Sequence, residues 1–225
     1  MTTAPRAPRT DGETTRARIL DAAGELFGVT GFAETTSKAI AARAGVDLAS
    51  INYHFGSRNG LYRAVLSEAH RRVVDLADLQ QLAQSPLPAS EKLRVLIDQL
   101  VQRAADGSEG WHLTVLAAEL VAPSSHIKVL FKSEVPMKAS LIADILSEIS
   151  GIPADDPALR RCLFSVAAPC LLLQIGRRGL PGPVQAMLRT PREVVVDHLH
   201  RFAIAGLEAI GNEYHAGKTP PRCAG

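Results

Sequence analysis

The sequence predicts an all-α protein, with a small N-terminal unit of three helices and a larger helical region after it. Of its 225 residues, 46% are hydrophobic but only 4% are aromatic, and Ala, Leu and Val supply most of the apolar side chains. Apolar residues recur every three to four positions, and the alternation typical of strands is absent. A chain of this length and composition can bury a sizeable core.

Residues 36–55 carry the clearest local signals, because the residues at their turns have the chemistry of helix ends. Thr36 is a predicted N-cap of a first short helix, and Gly45 stands where a helix C-terminus favours positive φ. Asp47 is the predicted N-cap of a second helix, and Val46 supplies an apolar contact between the two. Two short helices joined by such a turn predict a helix-turn-helix, whose second helix can enter the major groove of DNA.

The second of these helices has two different faces. At about 100° per residue, His54 and Phe55 lie within about 60° of Ile51, on the predicted core side. The opposite face consists of Ala49, Ser50, Asn52 and Tyr53. Asn can pair with adenine, Ser with several bases, Ala with a thymine methyl, and Tyr with a phosphate. The alternative is a merely solvated surface, but so short a helix is unstable unless packed, which favours groove contact.

The first helix of the unit is expected over residues 13–29, ending at Gly31, with Phe32 packing back under it. Its core stripe has helical spacing and consists of Ile19, Ala23, Leu26 and Phe27. Residues 1–12 contain two Pro and two Arg and are expected to form a disordered basic arm. Such an arm either enters the minor groove or remains a solvated tail.

Residues 13–66 resemble the DNA-binding domain of TetR-type one-component transcriptional repressors. The resemblance rests on TTSKAIAARAGV, INYHF and GSRNGLYRAVL, and the longer VDLASINYHFGSRNGLYRAVL is most similar to the CecR branch. Leu48 and Asn52 depart from the pattern, which often has a basic or polar residue and a Tyr there. The predicted DNA-contacting residues are Thr36, Ser37, Lys38, Leu48, Ala49, Ser50, Asn52, Tyr53, His54 and Arg58.

The sequence places a helix-turn-helix domain at 13–56 and a ligand-binding and dimerisation domain at 57–212. Ser57 is the predicted N-cap of a helix of about twenty residues, whose apolar stripe is Leu61, Val65, Ala69, Val73 and Leu76. Arg58 in its first turn is expected to contact a DNA phosphate, because a merely solvated Arg there runs against the helix dipole. The same helix is expected to link the two domains.

Loops rich in Pro, Ser and Gly separate the remaining elements, beginning with residues 84–90. The predicted helices are 91–105, with Ser90 as N-cap, then 111–121, 125–149, 158–178 and 192–210. Pro136 is expected to kink the helix over 125–149, and Pro169 lies inside the next one. Residues 213–225 are expected to form a disordered tail.

The last two predicted helices are apolar over more than one face, so they are expected to be buried on more than one side. A four-helix bundle between two copies would bury them, as in TetR-type dimers; the alternative is that both pack inside one subunit. A homodimer predicts a near-palindromic operator, with recognition helices about 34 Å apart. The resemblance also implies a small-molecule effector. Candidate ligand contacts, each of which alone could be plain core or surface, are Trp111, His112, Glu119, Phe131, Met137, Phe164 and Gln174.

No catalytic, cofactor or metal site is predicted. The sequence lacks H-E-x-x-H, G-x-S-x-G and phosphate-binding glycine motifs. His198 and His200 face different ways on one helix. The cysteines Cys162, Cys170 and Cys223 have no metal or redox spacing, and their odd number argues against a disulfide framework. With no signal peptide or membrane segment, a cytoplasmic location is expected.

Charge is weak evidence for a nucleic-acid partner. The net charge is +2, and residues 1–72 carry ten Lys and Arg against seven Asp and Glu, a difference of +3. Together with the helix-turn-helix, this predicts a DNA-binding transcriptional regulator, a repressor that a small molecule releases from a palindromic operator. The alternatives are a helical adaptor that does not bind DNA and an unrecognised all-α enzyme.

Overall fold

A computed structural model of the protein describes residues 10–105, 110–176 and 183–218. Most of these residues are helical and none of them is in a strand, which confirms the predicted all-α fold. The helices are α1 (Thr10–Glu34), α2 (Ser37–Ala44), α3 (Leu48–Phe55), α4 (Arg58–Val73), α5 (Leu76–Gln84), α6 (Ala89–Ala105), α7 (Trp111–Val121), α8 (Ile127–Ser133), α9 (Val135–Ser150), α10 (Pro157–Gly176), α11 (Pro183–Leu188) and α12 (Arg192–Lys218).

The described residues form two compact units. The first contains the residues up to Arg72 and those from Gly110 to Lys132, and therefore α1 to α4 together with α7 and α8. The second contains α5, α6 and α9 to α12. This division differs from the predicted boundary after residue 56, because α4 completes the core of the first unit and α7 packs along α1.

α1 is longer than predicted and is interrupted once. It begins at Thr10, so the end of the predicted disordered arm is helical, while residues 1–9 lie outside the described part of the chain. Gly31 has φ 79° and ψ 169°, a conformation that glycine adopts without steric cost. After it, Phe32 turns inward, and its ring centroid lies 5.8 Å from that of Phe27 and 4.6 Å from that of Tyr62. The predicted end of the helix and the inward Phe are confirmed.

The caps of the helix-turn-helix are the predicted ones. Thr36 accepts a hydrogen bond from the backbone N–H of Ala39 at 3.1 Å, which starts α2. Gly45 ends α2 with φ 63°, in the left-handed region. Asp47 then accepts from the N–H of Ser50 at 2.7 Å, which starts α3. Local side-chain chemistry therefore sets both helix starts and the turn between them.

The long helix predicted after Ser57 is in fact two helices. Ser57 caps α4 as predicted, with its Oγ accepting from the N–H of Gly60 at 3.0 Å. α4 ends at Val73, and Asp75 is extended and accepts from the N–H of Ala77 at 2.8 Å. Leu76 therefore begins α5 instead of continuing the stripe of α4. A side chain that can cap a new helix competes with continuation of the preceding one, even where the apolar periodicity runs on. Here the cap formed by Asp75 ends α4 and starts α5.

The helix predicted over 125–149 is also divided. α8 ends at Ser133 and α9 begins at Val135, which places Pro136 in the first turn of α9. A proline in a first turn removes no intrahelical hydrogen bond, because the N–H groups there have no helical acceptor. Pro136 thus helps to start a helix, and the predicted kink is wrong.

In the second unit, α6 and α12 pack together and both contact α9, while α10 contacts α6. The apolar residues of α6 that recur at helical spacing are all buried: Leu93, Leu96, Ile97, Leu100 and Val101. α12 runs past its predicted end at residue 210 to Lys218, so the first part of the expected disordered tail is helical. A Cβ at Gly211 would overlap the carbonyl oxygen of Ser150, and the hydroxyl of Tyr214 donates to Asp156 at 2.7 Å. These contacts hold the extension in place, while residues 219–225 lie outside the described part of the chain.

Candidate DNA-binding surface

α3 is anchored by one side and exposed on the other. Ile51 is fully buried, whereas Tyr53 is 85% and Leu48 is 49% exposed. Asn52 and Ala49 are also exposed and Ser50 is half-buried, so three of the four residues predicted to face outward from helical angles lie in solvent. The residues predicted on the core side, His54 and Phe55, are half-buried. The side chains free to meet a partner are therefore aliphatic, carboxamide and phenol groups.

The start of α3 is held by a doubled hydrogen bond. Asp47 Oδ1 accepts from the N–H of Ser50 at 2.7 Å and from its hydroxyl at 2.6 Å. The hydrogen bonds from the Ser50 side chain and backbone lower the pKa of Asp47. At its other end, Gly56 has φ 72° and donates its N–H to the carbonyl of Asn52 at 2.8 Å. Ser50, a predicted base contact, is thus engaged in the cap.

The N-terminal turn of α2 carries the predicted contacts Thr36, Ser37 and Lys38. Thr36 uses its hydroxyl oxygen for the cap and is exposed, as is Lys38. No acidic residue lies in this turn, so the positive end of the helix dipole is not neutralised there. A helix N-terminus with an exposed Lys suits a phosphate group.

Two arginines of the first unit, Arg18 and Arg43, are engaged within the protein. Arg18 donates to the carbonyls of Ala44 at 2.5 Å and Gly45 at 3.3 Å, and so binds the C-terminus of α2. Arg43 pairs with Glu25. These arginines stabilise the helix-turn-helix rather than extend its basic surface.

Arg58, predicted to contact a phosphate, is turned toward the protein. It donates to the carbonyl of Phe32 and to that of Ala33 at 3.2 Å, and its guanidinium carbon lies 4.2 Å from the centroid of the Phe32 ring. The structure thus gives Arg58 a stabilising contact that the sequence did not reveal. To contact a phosphate, the Arg58 side chain would have to leave these two carbonyl acceptors. The phosphate contact of Arg58 therefore stays a prediction.

Two family models match the sequence. The model described as "Bacterial regulatory proteins, tetR family" matches residues 19–65, which include α2 and α3. The model described as "HTH-type transcriptional dual regulator CecR, C-terminal domain" matches residues 89–210, more than half of the chain. The chain belongs to the TetR family of bacterial regulatory proteins. It is a transcriptional regulator, and the predicted similarity to the CecR branch is confirmed. None of the curated protein sequences is significantly similar to it.

Several solved structures have the same fold as this chain. AmtR from Mycobacterium smegmatis is 22% identical with a TM-score of 0.59, over 96% of this chain and 100% of that one. The fatty acid degradation regulator FadR from Bacillus halodurans is 15% identical with a TM-score of 0.63, over 84% and 98%. AibR, solved in complex with isovaleryl coenzyme A and operator DNA, is 16% identical with a TM-score of 0.60, over 83% and 96%. At these identities the likeness is one of fold.

In the second unit of this TetR-family regulator, α10 and α12 pack together and leave large apolar side chains in solvent. Phe164 on α10 and Phe202 on α12 are each 74% exposed, and Val194 is 55% exposed. Leu171 and Leu172 add to the exposed side of α10. These are the two helices that the sequence predicts at a dimer interface.

Trp111 is one of the predicted ligand contacts of the TetR-family regulator. Its side chain packs between α7 and α1. Its Nε1 donates to Asp21 Oδ1 at 3.0 Å, and a Cβ at Gly24 would overlap its ring. The guanidinium carbon of Arg72 lies 4.8 Å from the ring centroid, and Nη2 of Arg72 donates to the same Asp21 Oδ1 at 2.7 Å. The structure accounts for Trp111 without a ligand.

Glu119, another predicted ligand contact, holds the end of α7 against α4. It is only 4% exposed and accepts from the hydroxyl of Tyr62 at 2.7 Å. It also accepts from the N–H of Ser124 at 2.8 Å and from its hydroxyl at 2.7 Å. Burial, and then the hydrogen bond to Glu119, raise the pKa of Tyr62. Three donors satisfy this carboxylate.

The remaining ligand candidates do not converge on one described site. His112 is buried in the first unit, whereas Phe131, Met137 and Phe164 are 52%, 52% and 74% exposed. The side chain of Gln174 lies outside what the structure describes. None of them lines the apolar hollow between α6, α10 and α12, whose volume is about 60 Å³.

Two further observations concern metal sites and membrane-spanning helices in the regulator. Across residues 10–105, 110–176 and 183–218, no group of three His, Cys, Asp or Glu side chains could hold a metal ion. Within the same ranges, none of the helices combines the length and apolarity needed to cross a bilayer.

Sequence reasoning missed two long-range contacts that hold the first unit together. Arg18 binds acceptors 26 positions later in the chain, and Tyr62 binds a carboxylate 57 positions later. No local spacing announces such contacts. An Arg or Tyr on a helix otherwise facing the core was the available signal, and it does not identify the partner.

Proposed function

We propose that this TetR-family regulator is a homodimeric repressor. In each copy α3 reads one half of a near-palindromic operator, and a small-molecule effector releases the protein from DNA. The observation that carries the proposal is the way α3 is presented. Caps at Asp47 and Gly56 hold both ends and Ile51 anchors the middle, while Asn52 and Tyr53 stand in solvent.

The roles proposed for these side chains follow from their chemistry. Asn52 offers a carboxamide that can bond the N6 and N7 edge of adenine, and Tyr53 offers a hydroxyl to a phosphate. Lys38, exposed at the start of α2, adds a charged phosphate contact that fixes the register of the protein on the duplex. Rigid presentation matters, since a helix of eight residues is not stable alone.

Dimerisation supplies the second recognition helix. The exposed Phe164, Val194 and Phe202 lie on α10 and α12, which pack together, and they support a contact between copies because burying large apolar side chains is favourable. A two-fold axis would set these patches against their equivalents. The operator would then have half-sites one helical turn apart or a multiple of it.

Effector release requires a ligand that binds better to a conformer with the wrong spacing of recognition helices. A 100-fold loss of DNA affinity corresponds to about 2.7 kcal/mol of differential binding. Ligand sites for drug-sized molecules usually enclose about 300 to 1,000 Å³, so the hollow of about 60 Å³ would have to widen. The ligand named for AibR and the pathway named for FadR support testing acyl-coenzyme A thioesters first.

The proposal is tested by selecting bound DNA from a random duplex pool. We expect a symmetric consensus, and an affinity for it that falls steeply with added salt. Asn52→Ala and Tyr53→Ala should each weaken binding to the selected duplex, whereas Val29→Ala, at a residue 85% exposed on α1, should not. Specific binding that survives both substitutions in α3 would overturn the assignment of this helix.

The same measurement separates the alternatives. A helical adaptor would show neither sequence preference nor salt-dependent affinity for duplex DNA. An all-α enzyme would not need the exposed residues of α3, because its catalytic residues would lie elsewhere in the chain. A monomeric chain that binds no duplex at low ionic strength would refute the repressor proposal.

A further inference from the structure

Leu48 stands at the N-terminal edge of α3, directly after the cap residue Asp47. It is 49% exposed, and Ala49 beside it is exposed as well. Asn52 lies four positions later, so its side chain and that of Leu48 are neighbours on one face of the helix. The hydroxyl of Ser50 is bound to Asp47 at 2.6 Å. The leading edge of the helix therefore presents aliphatic groups, with a carboxamide one turn behind.

This arrangement limits what α3 can read. The commonest specific contact in the major groove is an Arg or Lys bonded to guanine, and the helix LASINYHF contains neither residue. Aliphatic side chains instead match the C5-methyl group of thymine, and a carboxamide matches adenine. The exposed chemistry of the helix thus favours A·T pairs.

We infer that Leu48 is a specificity-determining residue that packs on the C5-methyl group of a thymine in each half-site, next to an adenine read by Asn52. The inference rests on the proposed function, because it specifies how the same surface chooses its DNA. A single exposed Leu is ordinary on a protein surface. The test must therefore detect the contact itself rather than the importance of the residue.

The experiment starts from the duplex selected out of the random pool. Each thymine of the half-site is replaced in turn, symmetrically, by deoxyuridine, which differs only in lacking the methyl group. For the unaltered protein we expect one position where affinity falls about fourfold per half-site, or about fifteenfold for both, the equivalent of about 0.8 kcal/mol for each methyl group. Deoxyuridine elsewhere should have little effect.

Leu48→Ala is then measured on the same duplexes. It should bind the thymine duplex more weakly and lose its sensitivity to deoxyuridine at that one position. Val29→Ala is the control, since it truncates another exposed aliphatic residue of the first unit outside α3 and should keep the full sensitivity. The melting temperature of each variant shows that its fold is retained.

The outcomes distinguish two kinds of failure. If no duplex is selected, the proposed function falls, and this inference with it. If a duplex is selected but Leu48→Ala loses the same factor on thymine and deoxyuridine duplexes, the protein binds DNA and the methyl contact is wrong. A consensus with no methyl-sensitive thymine overturns the inference in the same way.

Discussion

Three glycines of α1 have different amounts of space around them, which predicts a graded response to alanine. A Cβ at Gly12 would meet no atom within 4 Å, and one at Gly28 would lie 3.3 Å from Cβ of Thr114. A Cβ at Gly24 would overlap the ring of Trp111. Because the Trp111 ring of α7 occupies the space beside Gly24, Gly24→Ala tests whether this packing holds the first unit together.

The expected magnitude combines three contributions. Gly→Ala inside a helix stabilises by up to about 1 kcal/mol. Overpacking a filled site costs about 1 to 3 kcal/mol. Moving the Trp111 ring also breaks its hydrogen bond to Asp21, worth about 1 kcal/mol. Gly24→Ala should therefore destabilise by about 1 to 3 kcal/mol, Gly12→Ala should be neutral or slightly stabilising, and Gly28→Ala should fall between them.

Urea unfolding followed by Trp fluorescence measures this series directly. The chain contains a single Trp, so its emission reports the α1–α7 contact. All variants are compared at one protein concentration, because any dimerisation makes apparent stability concentration-dependent. Gly24→Ala should shift both the unfolding midpoint and the emission of the folded state. Equal stability of Gly24→Ala and Gly12→Ala, with unchanged emission, would refute the packing described for α7.

Three other predictions concern pH, assembly and thiol reactivity. Hydrogen bonding to Arg71 lowers the pKa of Glu68 in the folded protein from its usual value of 4.5. The contribution of Glu68 to stability is therefore present above about pH 4.5 and is lost as the pH falls through the folded pKa. Glu68→Gln should flatten this part of the pH–stability curve, and an unchanged curve would contradict the prediction. Phe202→Glu should convert the proposed dimer to monomer in sedimentation velocity, whereas Val29→Glu, at a residue that is 85% exposed against 74% for Phe202, should not. A dimer that survives Phe202→Glu would exclude this face. Burial raises the pKa of Cys170 to about 11, so peptide mapping should find iodoacetamide on it only after unfolding; rapid labelling of the folded protein would show that the thiol is accessible.

The sequence predicted the recognition motif down to single residues. Thr36, Gly45 and Asp47 were assigned as helix ends and have those roles in the structure. The bounds of α7 were also correct, because Gly110 and Ala122 flank a mostly apolar segment. These features depend on hydrogen bonds and backbone preferences that act within four residues.

Helix continuation was predicted less well. An apolar stripe runs through Val73 and Leu76, yet Asp75 between them ends α4 and starts α5. Pro136 was expected to kink a helix and instead lies in the first turn of one. In both places two local signals compete, and periodicity alone does not say which is stronger.

Some residues of the candidate site could be predicted from the sequence and others could not. The outward position of Asn52 and Tyr53 follows from helical angles and one buried Ile51, so it could be predicted. The inward turn of Arg58 could not, because its acceptors Phe32 and Ala33 belong to another helix. Direction on a helix is a local property, whereas the partner of a long side chain is not.

By itself, the sequence determined the all-α fold, the helix-turn-helix and the chemistry of its exposed face, since these depend on spacing and capping between near neighbours. Only the tertiary structure decided that α7 belongs to the first unit, through Trp111 with Asp21 and Glu119 with Tyr62. Those pairs are 90 and 57 positions apart. Their formation depends on which buried surfaces fit together, and no local pattern in the chain records that fit.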